Sequence, residues 1–258
     1  MQTPFYQHAL TRLPPASMAQ GITTQSEKVD LESARQQHAD YVNALQQLGL
    51  SVDVLTPEEH YPDSHFVEDA AIIYNNTAIL TCPGADERQG EVEAITPQLK
   101  KRFPIRTFDD PDARVDGGDV LFMGDHVYIG TSYRTNIAGA KALSKILLSL
   151  NPSLDIHAIP FDGVLHLKSG FTAIGPNLLL GHPGIKLKNP LPHAEVIWVP
   201  EKESYAANAL ALNDHALVFA ECKKTQALIS DSGLTPVPLD MSEFRKMDGS
   251  FTCLSLLW

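Results

Sequence analysis

The sequence predicts an α/β fold built from a repeated unit, a ring of five strand-strand-helix-strand blades closed by the two ends of the chain, as in propellers. Three observations predict it. Short apolar runs come in pairs separated by two or three turn residues, a further short apolar run closes each unit, and the N- and C-terminal segments together supply one more copy.

The first pair is 70–74 and 77–81 around Asn75-Asn76, and the second is 119–123 and 126–130 around Gly124-Asp125. The third is 171–174 and 178–181 around Gly175-Pro176-Asn177, and the fourth 207–212 and 215–220 around Asn213-Asp214. Asn, Asp and Gly tolerate the left-handed backbone that tight hairpins need, so each pair reads as a β-hairpin. A stretch able to form a helix follows every hairpin except the third. In 136–148, Ile137, Ala140, Leu143, Ile146 and Leu147 fall on one face. After the third hairpin only the proline-rich 183–192 is present, so its helix is short or absent.

The closing strands read as 105–108, 155–160, 195–199 and 235–239. A fifth unit takes a strand from 4–12, a helix from 28–48, a closing strand from 50–55 and its missing hairpin strand from 250–256. In that helix Leu31, Ala34, His38, Tyr41, Leu45 and Leu48 share a face, and Gly49 is placed to end it. The whole of 1–258 therefore reads as one α/β propeller domain. A doubly wound sheet is the competing fold, but it alternates single strands with helices and opens a helix with a glycine-rich turn, whereas Gly117-Gly118 stands just before a strand.

Composition narrows the function. With 20 Lys+Arg against 31 Asp+Glu the formal charge is −11 over 258 residues, which argues against holding anionic nucleic acid. No apolar run reaches the length of a membrane-spanning helix, and residues 1–9 lack the basic and apolar regions of a leader. The expectation is a soluble, cytoplasmic protein with no nucleic-acid or membrane partner, a small-molecule substrate, and a homodimer as the one assembly considered. The three cysteines, Cys82, Cys222 and Cys253, have no CxxC spacing, so each is judged alone.

Walker, nucleophile-elbow, HExxH, EF-hand and dinucleotide motifs are absent, which favours chemistry without a cofactor or metal. Three clusters place charge just before a hairpin strand: residues 63–69, Asp116-Gly117-Gly118-Asp119, and 165–169. In a ring these points face the centre. Taken alone they read as turn formers; recurrence at equivalent points raises a functional reading. Cys253, in an apolar strand at the C-terminus, reads by itself as packing. A ring that gathers it with distant histidine and carboxylates would make it a nucleophile. Cys82 and Cys222 have no such company.

The residues Pro62-Asp63-Ser64, Phe66-Val67-Glu68-Asp69, Pro83-Gly84-Ala85, 116–122, Arg134-Thr135-Asn136, 165–169, Ala207-Asn208, Asp248-Gly249 and Thr252-Cys253 resemble the dimethylarginine dimethylaminohydrolase family, of the guanidino-group-modifying (pentein) superfamily, nearly end to end. The resemblance implies a five-bladed ββαβ propeller and hydrolysis of C–N bonds in linear amidines, converting asymmetric dimethylarginine or monomethylarginine to citrulline and a methylamine. It assigns Cys253 as nucleophile, His166 as general acid/base and Asp116 as the carboxylate that orients it. Glu68 and Asp69 would grip the guanidinium, Arg88 and Arg134 the α-carboxylate, and Asp63 with the backbone carbonyl of Ile22, in a lid loop, the α-amino group. No cofactor or metal is implied.

The sequence departs from the family pattern at His65, at Leu254 after the nucleophile, and in the shortened 181–195 segment. Two alternatives stay open: an arginine deiminase or dihydrolase of the same superfamily, and a non-catalytic propeller that senses an amino acid. A scaffold presenting its surface to another protein lacks a repeated exposed apolar stripe.

Overall fold

The computed structural model describes residues 3–258; Met1 and Gln2, part of the domain and leader readings, lie outside the described residues. In chain order the strands are β1 (His8–Arg12), β2 (Ser51–Leu55), β3 (Ala71–Tyr74), β4 (Thr77–Leu80), β5 (Ile105–Arg106), β6 (Val120–Met123), β7 (His126–Thr131), β8 (Asp155–Asp162), β9 (Phe171–Gly175), β10 (Leu178–Gly181), β11 (Lys186–Leu187), β12 (Glu195–Trp198), β13 (Leu210–Leu212), β14 (His215–Phe219), β15 (Thr235–Leu239) and β16 (Leu256–Leu257). The helices are α1 (Leu31–Gln47), α2 (Gln89–Leu99), α3 (Ile137–Leu150), α4 (Leu167–Gly170), α5 (Lys223–Asp231) and α6 (Ser242–Arg245).

These strands make five small mixed sheets of one topology. In each, a middle strand pairs antiparallel with its hairpin partner and parallel with the closing strand: β4 with β3 and β5, β7 with β6 and β8, β10 with β9 and β12, β14 with β13 and β15. The fifth middle strand, β1, pairs with β2 and with β16, so one sheet joins the two ends of the chain. The parallel pair needs a crossover. Helices α1, α2, α3 and α5 supply it in four sheets, while the link from β10 to β12 has none and contributes only β11 to the neighbouring sheet.

Local chemistry fixes the hairpins. Asn75 and Asn76 (φ 45° and 55°) and Asn213 and Asp214 (φ 48° and 60°) take the left-handed pair that a two-residue turn demands. Asp30 caps α1 by accepting from Ser33 N (2.7 Å), and Asn136 caps α3 by accepting from Gly139 N (2.7 Å). The predicted face of α1 is inward, with Ala34, His38, Tyr41 and Leu45 buried. On α3 the face is Ala140, Leu143 and Leu147, whereas Ile137, at the exposed first turn, is 65% accessible.

Each sheet's hairpin begins in the same way. A short helical segment precedes each first strand: one turn at Val67–Ala70, Gly117–Asp119, Leu167–Gly170 and Thr252–Leu254 before β3, β6, β9 and β16, and a longer one kinked at Glu203, Glu201–Ala207, before β13. All five of those strands line one cavity of about 160 Å³. The C-terminal strand is shorter than 250–256: the chain around Cys253 is a helical turn, and only Leu256–Leu257 pairs with β1. Phe251 and Leu254, both fully buried, pull this turn into the core instead of leaving it to alternate as a strand. Among the described residues no helix is long and apolar enough to cross a membrane.

Candidate active site

The helical turns carry the chemistry. Glu68 and Asp69 sit in the turn before β3, Asp116 caps the turn before β6 and Asp119 lies within it, His166 caps α4, and Cys253 is in the turn before β16. A cavity of about 30 Å³ is lined by Ile22, Asp63, Asp69, Arg88, Arg134, His166 and Cys253, among others. That is room for about two waters.

Cys253 is held from several sides. Asn208 bonds Thr252 through both amide atoms (3.3 and 3.4 Å), and its carbonyl accepts from Ser250 Oγ (2.9 Å). The fully buried Tyr41 on α1 donates to Phe251 O (3.0 Å) and meets Ser255 Oγ at 2.7 Å. Phe251 packs edge-on against Phe219, with centroids 4.9 Å apart. Burial, with the charges of Glu68 and Asp69, pushes the Cys253 thiol well above its ordinary value, against the pull of the Ser250 contact and Lys168. The resting sulfur is therefore a protonated thiol.

His166 is in the opposite condition. Its Nε2 lies 2.9 Å from Asp116 Oδ2, and its Nδ1 4.0 Å from Asp69 Oδ1. Burial opposes the imidazolium, but Asp69, the bond to Asp116 and the further charges of Asp119 and Asp116 outweigh it, raising the group to about 9. At neutral pH the imidazole is protonated. A Cβ at Gly118 would come within 2.6 Å of His166 Nδ1, so glycine there leaves room for the ring. Asp116 is itself fixed by Gly84 N, which donates to Oδ1 (2.7 Å). It stands behind His166 and does not line the cavity.

Arg88 and Arg134 are both buried. Arg88 is committed: Nη1 to Asp69 Oδ2 (2.5 Å), Nε and Nη2 to Glu91 (2.8–3.2 Å), and Nη2 also to the Phe66 carbonyl (3.1 Å). Arg134 is not. Its Nη1 has no hydrogen bond and stands 3.6 Å from Asp116 Oδ2. Asp63 Oδ2 accepts from Ile22 N (2.9 Å), while Oδ1 is buried without a partner. Burial raises the Asp63 carboxyl, with Arg88, the Ile22 bond and Arg134 drawing it down.

Glu68 is not in this cavity. It faces the central cavity, where Oε1 pairs with Lys168 Nζ (2.6 Å) and Oε2 accepts from Thr252 Oγ1 (2.9 Å). It thereby ties the turn before β3 to α4 and to the residue preceding Cys253. The loop carrying Ile22 is fastened over the site by Asp248, which accepts from Thr24 N (2.6 Å), Thr24 Oγ1 (3.0 Å) and Gln25 Nε2 (2.7 Å).

The family described as N,N-dimethylarginine dimethylhydrolase, eukaryotic, matches residues 15–181. A dimethylarginine dimethylaminohydrolase of Pseudomonas aeruginosa is 35% identical over 254 residues, covering 97% of this chain and 99% of its own. The chain belongs to the dimethylarginine dimethylaminohydrolase family. A Streptomyces coelicolor member is 37% identical over 251 residues, covering 96% of this chain and 95% of its own. Among solved structures of the family, a Cys-to-Ser variant from Pseudomonas aeruginosa complexed with citrulline superposes with a TM-score of 0.92 at 34% identity, covering 98% of this chain and 100% of that one. A His-to-Gly variant solved as an adduct with S-methyl-L-thiocitrulline gives 0.91 at 34% identity, with the same coverage. The N-terminal domain of a cyanobacterial arginine dihydrolase, 19% identical with a TM-score of 0.85 over 97% of this chain and 96% of that one, shares the α/β fold.

Two members of the matched motifs to which sequence reasoning gave no role are prominent in the structure. Asp119 is fully buried, accepts from Leu167 N (2.9 Å) and Ser132 Oγ (3.2 Å), and so anchors the turn that His166 caps; burial raises it to about 6. Lys168 neutralises Glu68. The available signal was the second aspartate in Asp116-Gly117-Gly118-Asp119, immediately after the glycine that lets the backbone pass close to His166.

Proposed function

We propose that the protein hydrolyses Nω-methylated arginine to citrulline and a methylamine, with Cys253, His166 and Asp116 at the reacting end of the substrate. One observation carries this reading: a single small cavity holds a half-buried thiol and a carboxylate-bound imidazolium beside two buried atoms of opposite charge that lack a hydrogen bond, Asp63 Oδ1 and Arg134 Nη1. Such a pair suits the α-amino and α-carboxylate groups of an amino acid. Asp63 with the Ile22 backbone would take the amine. Arg134 is the readier anchor for the carboxylate, since Arg88 would first have to release one of its present partners. Asp69 would receive the guanidinium N–H groups, with Glu68 supporting from the other side.

The chemistry follows from the charge states. A cationic guanidinium entering beside Cys253 favours loss of the thiol proton to solvent, since it opposes the charges that hold the proton on. The thiolate adds to the guanidinium carbon, giving a neutral tetrahedral adduct. The imidazolium of His166 gives its proton to the departing amine nitrogen, the C–N bond breaks, and a thiouronium cation stays on sulfur. His166, now neutral, takes a proton from water as the hydroxide adds to the same carbon. Collapse expels the thiolate and leaves citrulline, with one proton released to the amine in solution. Asp116 holds the ring through both proton transfers.

The five sheets act, in this reading, as blades of one closed propeller over the whole chain, supported by the common cavity of their hairpin strands and by the pairing of β1 with β16. The cavity beneath the lid is too small for an amino acid of arginine's length, so residues 14–24 must open to admit it. A reducing, cytoplasmic setting fits three thiols that are all unpaired.

The test is citrulline formation by the purified protein from asymmetric dimethylarginine, monomethylarginine and arginine side by side, with Cys253→Ser as control. Citrulline from the methylated substrates, lost in the variant, supports the proposal. Citrulline mainly from arginine moves the function to deimination on the same residues, and binding without turnover moves it to a sensor.

A further inference from the structure

We propose that His126, Asp155, His157 and His193 form a binding site for a divalent transition-metal ion of the zinc type, remote from Cys253. The donors converge on one point. His126 Nδ1, His157 Nε2 and His193 Nε2 lie 3.3, 3.1 and 3.7 Å from the same oxygen, Asp155 Oδ2, and all four ligand atoms are within 4.8 Å of one another. A tetrahedral ion with ligand bonds of about 2.0–2.1 Å has ligand-to-ligand edges of about 3.3–3.4 Å. Three imidazoles with one carboxylate suit zinc, copper(II) or nickel rather than calcium or magnesium.

A second observation points to a ligand. His126 Nδ1 and His157 Nε2 are buried atoms without a hydrogen bond, although each faces Asp155 at short range. Unpaired buried ring nitrogens are unfavourable unless something fills the space between them. Sheet register explains why they meet: parallel pairing of β7 with β8 sets His126 opposite Asp155 and Tyr128 opposite His157. Tyr128 stacks on His157 and donates its hydroxyl to Pro192 O (2.5 Å), which brings in His193. His193, at φ 59°, lies parallel over His126 with centroids 4.4 Å apart. Its ring must turn out of this stack to bind, so His126, Asp155 and His157 are the fixed ligands and His193 the adjustable one. The cluster sits at the β6–β7 turn, the opposite end of that hairpin from Asp116. His193 belongs to the crossover that lacks a helix, and the ion would clamp that crossover to β7 and β8.

The test uses the Cys253→Ser protein, so that no active-site thiolate competes, stripped with chelator and titrated with Zn²⁺ by calorimetry and with Co²⁺ by visible absorption. The proposal expects one ion per chain at this cluster, the intense visible bands of tetrahedral Co²⁺, a higher Tm with Zn²⁺, and slower proteolysis within 182–194. His157→Ala should weaken Zn²⁺ binding by about 100-fold or more, and His193→Gln, on an exposed loop where folding is not in question, by roughly 10-fold. Zn²⁺ binding unchanged in both variants, or no stoichiometric Zn²⁺ at a hundred micromolar free ion, overturns it.

Discussion

His65 and His166 are both almost wholly removed from water, at 0% and 5% exposure, and yet they are driven in opposite directions. His65 is pushed down to about 3, by burial first and then by Arg88 and His38, with only a small opposing pull from the Pro62 backbone, and neither ring nitrogen makes a well-aligned hydrogen bond. It lies against Phe66 and Phe244 as a flat apolar body. His166 suffers the same desolvation but is raised to about 9, because Asp69, Asp119 and Asp116 surround it. Burial alone makes a histidine inert; burial among carboxylates makes it an acid that keeps its proton at neutral pH.

Exchanging the two residues' roles by mutation should break the comparison most visibly. His166→Asn should lower kcat by about 10²–10⁴-fold, the usual worth of a positioned acid/base, as read by citrulline release. His65→Leu, filling an apolar pocket, should leave kcat within about twofold. Comparable losses in both would mean that His166 is packing as well.

A smaller effect comes from the partner of the ring. Asp116→Asn keeps the shape but removes a negative charge, so kcat should fall by about 10–100-fold and His166 should hold its proton less tightly. If His166 supplies the proton for the leaving amine as proposed, activity in the parent protein should be present below its folded value of about 9 and lost above it. The alkaline limb of a chemistry-limited pH profile should therefore sit near pH 9 and move to lower pH in Asp116→Asn. A limb that stays in place would detach it from His166.

His65 should appear in stability instead. Its folded value, about 3, is below the unfolded value of 6.5, so between those pH values the unfolded chain binds the extra proton and stability falls as pH falls. His65→Leu should flatten the acid side of a denaturant-midpoint profile, by up to about 1.4 kcal/mol per pH unit within that window. His38, lowered by burial to about 4, contributes a similar slope that the variant retains.

The same contrast explains what could be read from the sequence. The hairpins were legible because their turns need Asn, Asp or Gly, and Asn75-Asn76 and Asn213-Asp214 adopt the left-handed geometry those residues permit. The helix-free third crossover was legible from its prolines. The turns before the inner strands were not, since a single helical turn has too few residues for a periodicity, and so Cys253 reads as strand when it is helical. Bringing Asp63, Asp69, Arg88, Arg134, His166 and Cys253 to one cavity was legible through family resemblance, because residues nearly two hundred positions apart leave no local pattern. The direction of Glu68, towards Lys168 and away from that cavity, depends on a side-chain contact that sequence spacing cannot encode. The cluster at Asp155 was missed for the same reason: its members meet through strand register and one loop.

The central claim is that Cys253 carries the substrate carbon during turnover, although its resting thiol is held protonated. The most direct measurement is acid quenching of the working enzyme with asymmetric dimethylarginine, followed by peptide mass mapping of all three cysteines. The account predicts a transient adduct on the peptide containing Cys253, containing the substrate without its dimethylamine, and absent from Cys253→Ser. Steady citrulline production with the adduct on Cys82 or Cys222, or on no cysteine under conditions that trap it, would contradict the account.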